Sequence, residues 1–413
     1  MKILVLGAGV IGVTTAYELA ADGHAVTVIE RHARPARETS FANAGLIAPG
    51  HSFAWASPKV PGILLKSLFR NDQAFRLRFN IDHQYWRWAL RFLGQCTAER
   101  ARRNTLRKHR LCRYSQHQLH RVIADTRVRH AGTSGGLLYL YRSSSSLERG
   151  IAHMQLLADA GQPQEVLDRD QIAELDPAYS DTKAQLAGGV YCPTDESGDS
   201  HRFTTALAAV CAERGVGFEY GATITHLDAN GDRIRGVNTD RGAFTADAFV
   251  VALGPYSAPL VQSLNIYLPI YPVKGYSVSV ACGDRAPRLG AVDEDHLIAY
   301  ARLGERFRVT AIAEFAGYDT SFKPQDFVAM LATVRELLPG ASDYTHPEYW
   351  SCLRPMTPQG TPIFGRARFR NLYLNTGHGH MGWTMACGSA RITADLIHQR
   401  KPQIDLEGML FPV

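Results

Sequence analysis

The sequence has 413 residues, 45% hydrophobic and 20% charged, the make-up of an ordinary globular chain with room for two domains or for one domain carrying a large insertion. A formal net charge of +6 is too modest at this length to argue for nucleic acid, although segment 99–113 gathers much of the basic excess on one face or one helix. No apolar run reaches the roughly 18 residues of a membrane span, and a fold motif stands where a signal peptide would be, so a cytoplasmic protein is expected, with peripheral attachment to the inner membrane left open.

Residues 2–6, KILVL, suit a buried parallel strand. They run into Gly7-Ala8-Gly9-Val10-Ile11-Gly12 and then a helical pattern with Ile11, Thr15, Leu19 and Ala20 on one side. A second strand, AVTVIE, ends at Glu30. Gly7 permits the tight turn, Gly9 lets backbone approach a pyrophosphate, and Gly12 lets helix pack on strand. The helix N-terminus offers free N–H groups to phosphates. Glu30 can accept hydrogen bonds from both ribose hydroxyls, and it repels a 2′-phosphate. The strand, helix, second strand and terminal acid together predict a dinucleotide site.

Beyond Glu30 a loop of small and polar residues follows, with Thr39, Ser40, Asn43 and Gly45 suited to the rest of a long cofactor. Residues 56–145 read as an excursion with helices over 84–103 and 113–126 and a strand at 135–142. The SSSS run at 143–146 reads as a loop. A helix over 201–214 starts behind Asp199 or Ser200 as cap. Turns at Asn230-Gly231 and Arg241-Gly242 divide 218–254 into a β-meander whose last strand returns to the nucleotide fold. Residues 263–349 read as an antiparallel sheet with one helix, 326–338. The strand NLYLN and a helix over 384–400 then flank a second glycine-rich turn, Asn375 to Thr384, whose helix N-terminus suits the electron-rich end of a flavin. This turn favours FAD, since an NAD-dependent dehydrogenase leaves it without a role. The seven cysteines are odd in number and widely spaced, which predicts reduced thiols rather than disulfides. The pair His378 and His380 lacks a third ligand, so no metal site is expected.

GAGVIGVTTAYEL with AVTVIER, ETSFANAGLIAPG, DESGD at 195–199, AFVVALGPYS at 248–257, YPVKGYSV at 271–278, LRPMTPQGTPIFGR at 353–366 and LNTGHGHMGWTMACGS at 374–389 occur in this order. On these stretches the chain resembles the FAD-dependent D-amino acid dehydrogenases, within the group that includes glycine oxidase, sarcosine oxidase and D-amino acid oxidase. It departs from the usual pattern at His380 and Met381, and at His51, Phe53 and Trp55, which bear on substrate identity. The resemblance implies an α/β chain. An FAD-binding Rossmann-like domain of glutathione-reductase type, over 1–55, 146–180, 196–262 and 350–413, is interleaved with an α+β substrate domain on an antiparallel sheet, over 56–145, 181–195 and 263–349. It implies FAD contacts from Gly7, Gly9, Val10, Ile11, Gly12, Glu30, Arg31, Thr39, Ser40, Asn43, Ala44, Gly45, Leu46, Gly254, Gly377, Gly379, His380, Met381, Gly382, Trp383 and Thr384.

Oxidising an amino acid requires its carboxylate to be held and its Cα–H presented. By resemblance Arg354 holds the carboxylate, and guanidinium offers it two parallel donors. Tyr276 can add a hydroxyl, His51 can shape the pocket, and His378 can sit by the flavin. The implied reaction is oxidative deamination of a small D-amino acid to a 2-oxo acid and ammonia, with electrons passed to a quinone or other respiratory acceptor. An oxygen-using oxidase of the glycine or sarcosine oxidase type and a D-proline or D-hydroxyproline dehydrogenase are the alternatives. Segments 61–71 and 85–94 combine apolar and aromatic residues with Lys66, Arg70, Arg87 and Arg91. That suits a membrane-interfacial surface, or equally an amphipathic helix packed on its own domain.

Overall fold

The computed structural model describes residues 1–62, 75–78 and 82–412. The expected interfacial segment 61–71, with Lys66 and Arg70, lies almost wholly outside them.

Among the described residues, six strands form one sheet in the order Gly217–Tyr220, Ala25–Glu30, Lys2–Leu6, Ala248–Val251, Leu372–Thr376 and Ile363–Arg366. The first five run parallel and the last antiparallel. Alternation along Lys2–Leu6 divides the core in two. Ile3 and Val5 face the helices Val10–Ala21, Ser200–Glu213 and Gly382–Ile397. Leu4 and Leu6 face the three-stranded meander Ile224–Asn230, Arg233–Thr239 and Gly242–Thr245. The meander turns at Asn230-Gly231 and Arg241-Gly242, as expected. The helix Val10–Ala21 is buried over most of its circumference rather than along one stripe, because helices on both flanks cover it.

Among the described residues a second sheet contains nine strands, with Tyr271–Ala281 lying between Glu348–Met356 and Arg306–Phe315. It is mainly antiparallel. Gly290–Asp293 nevertheless pairs parallel to Leu137–Tyr141, and Phe75–Leu77 parallel to Ala313–Phe315. Strands Glu165–Leu167 and Glu348–Met356 also belong to this sheet, although 146–180 and 350–413 read from sequence as parts of the nucleotide domain. Chain order alone does not say which sheet a short strand joins.

Two local expectations are corrected. Residues 84–103 form two helices, His83–Gln95 and Ala98–Thr126, because Thr97 caps the second by accepting from Arg100 N–H at 3.3 Å. The serine run is no loop. Ser143 caps the helix Ser144–Asp159 in a capping box with Ser146, the geometry short hydroxyl side chains favour.

Candidate active site

Gly7 turns the chain at φ +104°, and Gly12 sits so close behind it that a Cβ would fall 1.8 Å from the Gly7 carbonyl oxygen. Gly9 differs. The nearest atom to a Cβ there is Ser40 Oγ at 3.5 Å, so its open side faces a cavity. Val10 N–H, at the start of the helix, donates to Ser40 Oγ (3.0 Å). The Glu30 carboxylate accepts from Ala8 N–H (2.8 Å) and His32 N–H (2.9 Å), which fixes the turn and leaves carboxylate lone pairs for a ligand.

The cavity measures about 780 Å³ and runs between the two sheets. Its walls include Gly7, Gly9, Val10, Ile11, Glu30, Arg31, Thr39, Ser40, Asn43, Ala44, Gly45, Leu46 and Gly254, then Gly379, His380, Met381, Gly382, Trp383 and Thr384. The remaining expected contacts, Gly12 and Gly377, stand behind the wall: Gly12 closes helix on turn, and a Cβ on Gly377 would meet Thr357 Cγ2 at 2.8 Å. Arg31 lies 4.1 Å over the Tyr256 ring and pairs with Glu38. Thr39 Oγ1 donates to Leu353 O (2.8 Å), tying the loop to the large sheet. Asn43 donates to Ser200 Oγ (2.8 Å) and accepts from Gly45 N–H (3.0 Å).

From the far end of the chain, the helix Gly382–Ile397 starts at Met381 without a side-chain cap. Thr384 Oγ1 accepts from Ala48 N–H (3.2 Å), and the Trp383 indole donates to Gly198 O (3.0 Å). Asn375 Oδ1 is buried on the cavity wall with no donor. Two helix N-termini whose N-cap residues, Gly9 and Met381, supply no side-chain bond, an open glycine and an orphaned acceptor fit a pyrophosphate-linked, donor-rich cofactor.

At the other end stands Arg354, on the strand that pairs with Tyr271–Ala281, opposite Val273. One guanidinium N–H donates to Ile312 O (2.8 Å), and the group lies 5.9 Å over the Trp55 ring. Among the described residues no carboxylate lies within ion-pairing distance of it, and burial holds its pKa below the usual arginine value. Trp55 stacks in turn on His380 at 4.8 Å. Burial leaves His380 neutral, and pushes His378, which is hydrogen-bonded to Ser389 Oγ (2.9 Å), down to about 3.

Tyr276 lines the cavity, but its hydroxyl donates to the buried Glu314, which also pairs with Arg78. The hydroxyl expected on a substrate carboxylate is therefore already committed. His51 also lines the cavity. Its Nε2 lies 2.7 Å from Glu294 Oε1, and that carboxylate raises its pKa against the opposing effect of burial.

Sequence reasoning missed Glu294, which sits in an unremarked Asp-Glu-Asp run. It also missed Lys108, buried inside the basic 99–113 segment and donating to Phe53 O at 2.6 Å. That segment is no bare basic face, since Arg103, Arg107 and Arg110 pair with Glu99, Glu407 and Asp405. The DESGD stretch is architectural. Asp195, pushed up to about 7 by burial, accepts from Gly50 N–H (2.9 Å) and Tyr139 OH (2.6 Å), and Asp199 caps the helix Ser200–Glu213.

A cavity that joins the open Gly9 turn to a half-buried guanidinium, with no described acid in ion-pairing distance, suits a dinucleotide at one place and an acid at the other. The chain belongs to the family of FAD dependent oxidoreductases, whose model matches residues 2–396, and its cofactor is FAD. It is 48% identical over 414 residues to D-amino acid dehydrogenase 2 of Mesorhizobium japonicum, covering 100% of each chain. It is 43% identical over 407 residues to a D-amino acid dehydrogenase of Granulibacter bethesdensis, covering 98% of this chain and 97% of the other. The crystal structure of glycine oxidase from Bacillus cereus superposes with a TM-score of 0.76 at 21% identity, covering 100% of this chain and 99% of that one, a likeness of fold.

Proposed function

We propose that this protein is an FAD-dependent D-amino acid dehydrogenase, converting D-amino acids to 2-oxo acids and ammonia. One observation carries the reading: the half-buried Arg354 guanidinium lines the cavity, and among the described residues no acid lies within ion-pairing distance of it. A partly desolvated cation without a partner gains from a substrate carboxylate. The names of the two D-amino acid dehydrogenases of similar sequence support the same chemistry.

Gly9, the two helix N-termini, Glu30 and Asn375 would hold FAD, which would supply a two-electron acceptor for the reaction. Arg354 fixes the carboxylate with two donors, and the Trp55 indole beneath it keeps the guanidinium in place. With the carboxylate fixed, rotation about the Cα–carboxylate bond is all that remains to orient Cα–H, so positioning supplies most of the rate. Loss of the Cα hydrogen with its electrons leaves an imine, and water converts it to the 2-oxo acid and ammonia.

The electrons pass to a quinone or another respiratory acceptor, at a peripheral membrane contact. Trp86, Leu90 and Leu93 form an exposed apolar stripe on the helix His83–Gln95. Arg87 and Arg91 flank it, 3.5 and 4.7 Å from the Tyr267 ring. An apolar stripe edged with cations suits an anionic membrane surface. Among the described residues no helix is long and apolar enough to cross a membrane.

The test is anaerobic bleaching of the flavin by D- and L-amino acids, glycine, sarcosine and prolines. Bleaching by D-amino acids is expected. Bleaching by L-amino acids or sarcosine alone overturns the reading, and rapid reoxidation by O₂ assigns an oxidase.

A further inference from the structure

We infer that the cavity selects a neutral D-amino acid bearing a side-chain hydroxyl, and that Glu294 and His51 hold that hydroxyl between them. The inference rests on the D-amino acid dehydrogenase reading and adds the substrate class.

Glu294 leaves the large sheet directly after the strand Gly290–Asp293 and lines the cavity. Its Oε1 is buried and pairs with His51 Nε2 at 2.7 Å. The imidazole is held flat against the Tyr139 ring, centroids 5.0 Å apart and planes 9° apart. The wall thus presents an imidazole–carboxylate pair, and a carboxylate has acceptor capacity beyond one partner. A hydroxyl entering beside the pair donates to the carboxylate and accepts from the imidazole N–H.

Charge decides against the rivals. Imidazolium and carboxylate form a neutral pair, so a side-chain ammonium must compete with His51 for Glu294. The buried Lys108 ammonium, close enough to act on His51, opposes it further. A side-chain carboxylate is repelled by Glu294. An aliphatic side chain strips water from the pair and returns no hydrogen bond, the penalty by which a polar site rejects an analogue lacking its hydroxyl. Arg354 lines the same cavity. It lies over Trp55, Trp55 stacks on His380, and His380 is within electrostatic reach of His51.

The experiment compares anaerobic flavin reduction by two pairs that differ chiefly in a hydroxyl, D-threonine against D-valine and 4-hydroxy-D-proline against D-proline, with D-lysine as the cationic probe. In at least one pair the hydroxylated member should lead in limiting rate over apparent Kd by about tenfold or more, with D-lysine well behind. In Glu294→Leu that ratio should collapse towards one, and Glu294→Gln, which keeps an acceptor and preserves volume, should retain part of it. Ratios near one in the natural protein, a lead for D-lysine, or a ratio indifferent to Glu294 overturns the inference while leaving D-amino acid oxidation intact. If no D-amino acid bleaches the flavin, the underlying reading fails, and the substrate class fails with it.

Discussion

The Arg354 guanidinium lies 5.9 Å over the indole of Trp55 and, among the described residues, donates to one acceptor, the carbonyl of Ile312. The arrangement leaves most of its donors to the cavity. Arg354→Ala is expected to retain bound FAD and to lose flavin reduction by D-amino acids. Two charge-assisted bonds at about 1.5–3 kcal/mol each correspond to a fall of two to four orders of magnitude in limiting rate over Kd. Stopped-flow absorbance under anaerobic conditions measures it. Arg354→Lys should recover only part of the loss, because an ammonium lacks the fork.

The two motif glycines at positions 9 and 12 should separate when each is replaced by alanine. At Gly9 the added methyl meets only Ser40 Oγ at 3.5 Å, so the apoprotein should keep its melting temperature while FAD affinity falls about tenfold or more. At Gly12 the methyl collides with the Gly7 carbonyl, so the apoprotein itself should lose about 1–3 kcal/mol or more. Thermal unfolding with and without added FAD distinguishes the two, and equal destabilisation by both variants contradicts the geometry.

Acid should weaken the fold through His378. Its folded pKa of about 3 lies below the unfolded value of about 6.5, so the unfolded chain takes up the proton first. The stability it contributes is complete above about pH 6.5 and is lost as pH falls from there towards 3. Between pH 7 and 5 the loss is about 2 kcal/mol. His378→Gln should lower stability at pH 7 yet flatten this limb, as read from urea midpoints at the two pH values. A limb of unchanged slope in the variant shows that other groups set the acid response.

Membrane contact through the helix His83–Gln95 is tested by sedimentation with anionic vesicles at low salt. The natural protein should pellet, and Leu90→Asp with Leu93→Asp should remain in the supernatant with its flavin bound. Both residues are exposed, 69% and 44%, so the substitutions cost the fold little. Failure of the natural protein to pellet removes this helix as the docking element.

The nucleotide turn was legible because its information is local: Gly7 to Glu30 is one strand–helix–strand unit, and each glycine answers a contact inside it. Arg354 was reached through resemblance. Its isolation from every described acid depends on strand pairing across the large sheet, which no local pattern encodes. Glu294 was hidden for the same reason, one acid among three whose neighbour in space, His51, lies far away in the chain. Tyr276 was placed on the cavity wall from its motif, but the partner of its hydroxyl, the buried Glu314, sits on a neighbouring strand and was out of reach of any local pattern. Serines 143–146 misled, since composition reads them as loop and hydroxyl chemistry makes them a helix start.

The first strand, Lys2–Leu6, is flanked by Ala25–Glu30 and by Ala248–Val251, and the latter is flanked in turn by Leu372–Thr376. A ribosome making this polypeptide therefore emits the pyrophosphate turn hundreds of residues before the strands and helix that complete the chamber around it. If residues 372–397 complete the cofactor chamber, stable capture of FAD waits until they have emerged. Over that interval the exposed edges of the early strands need protection, and flavin supply during synthesis should govern how much of the protein escapes aggregation.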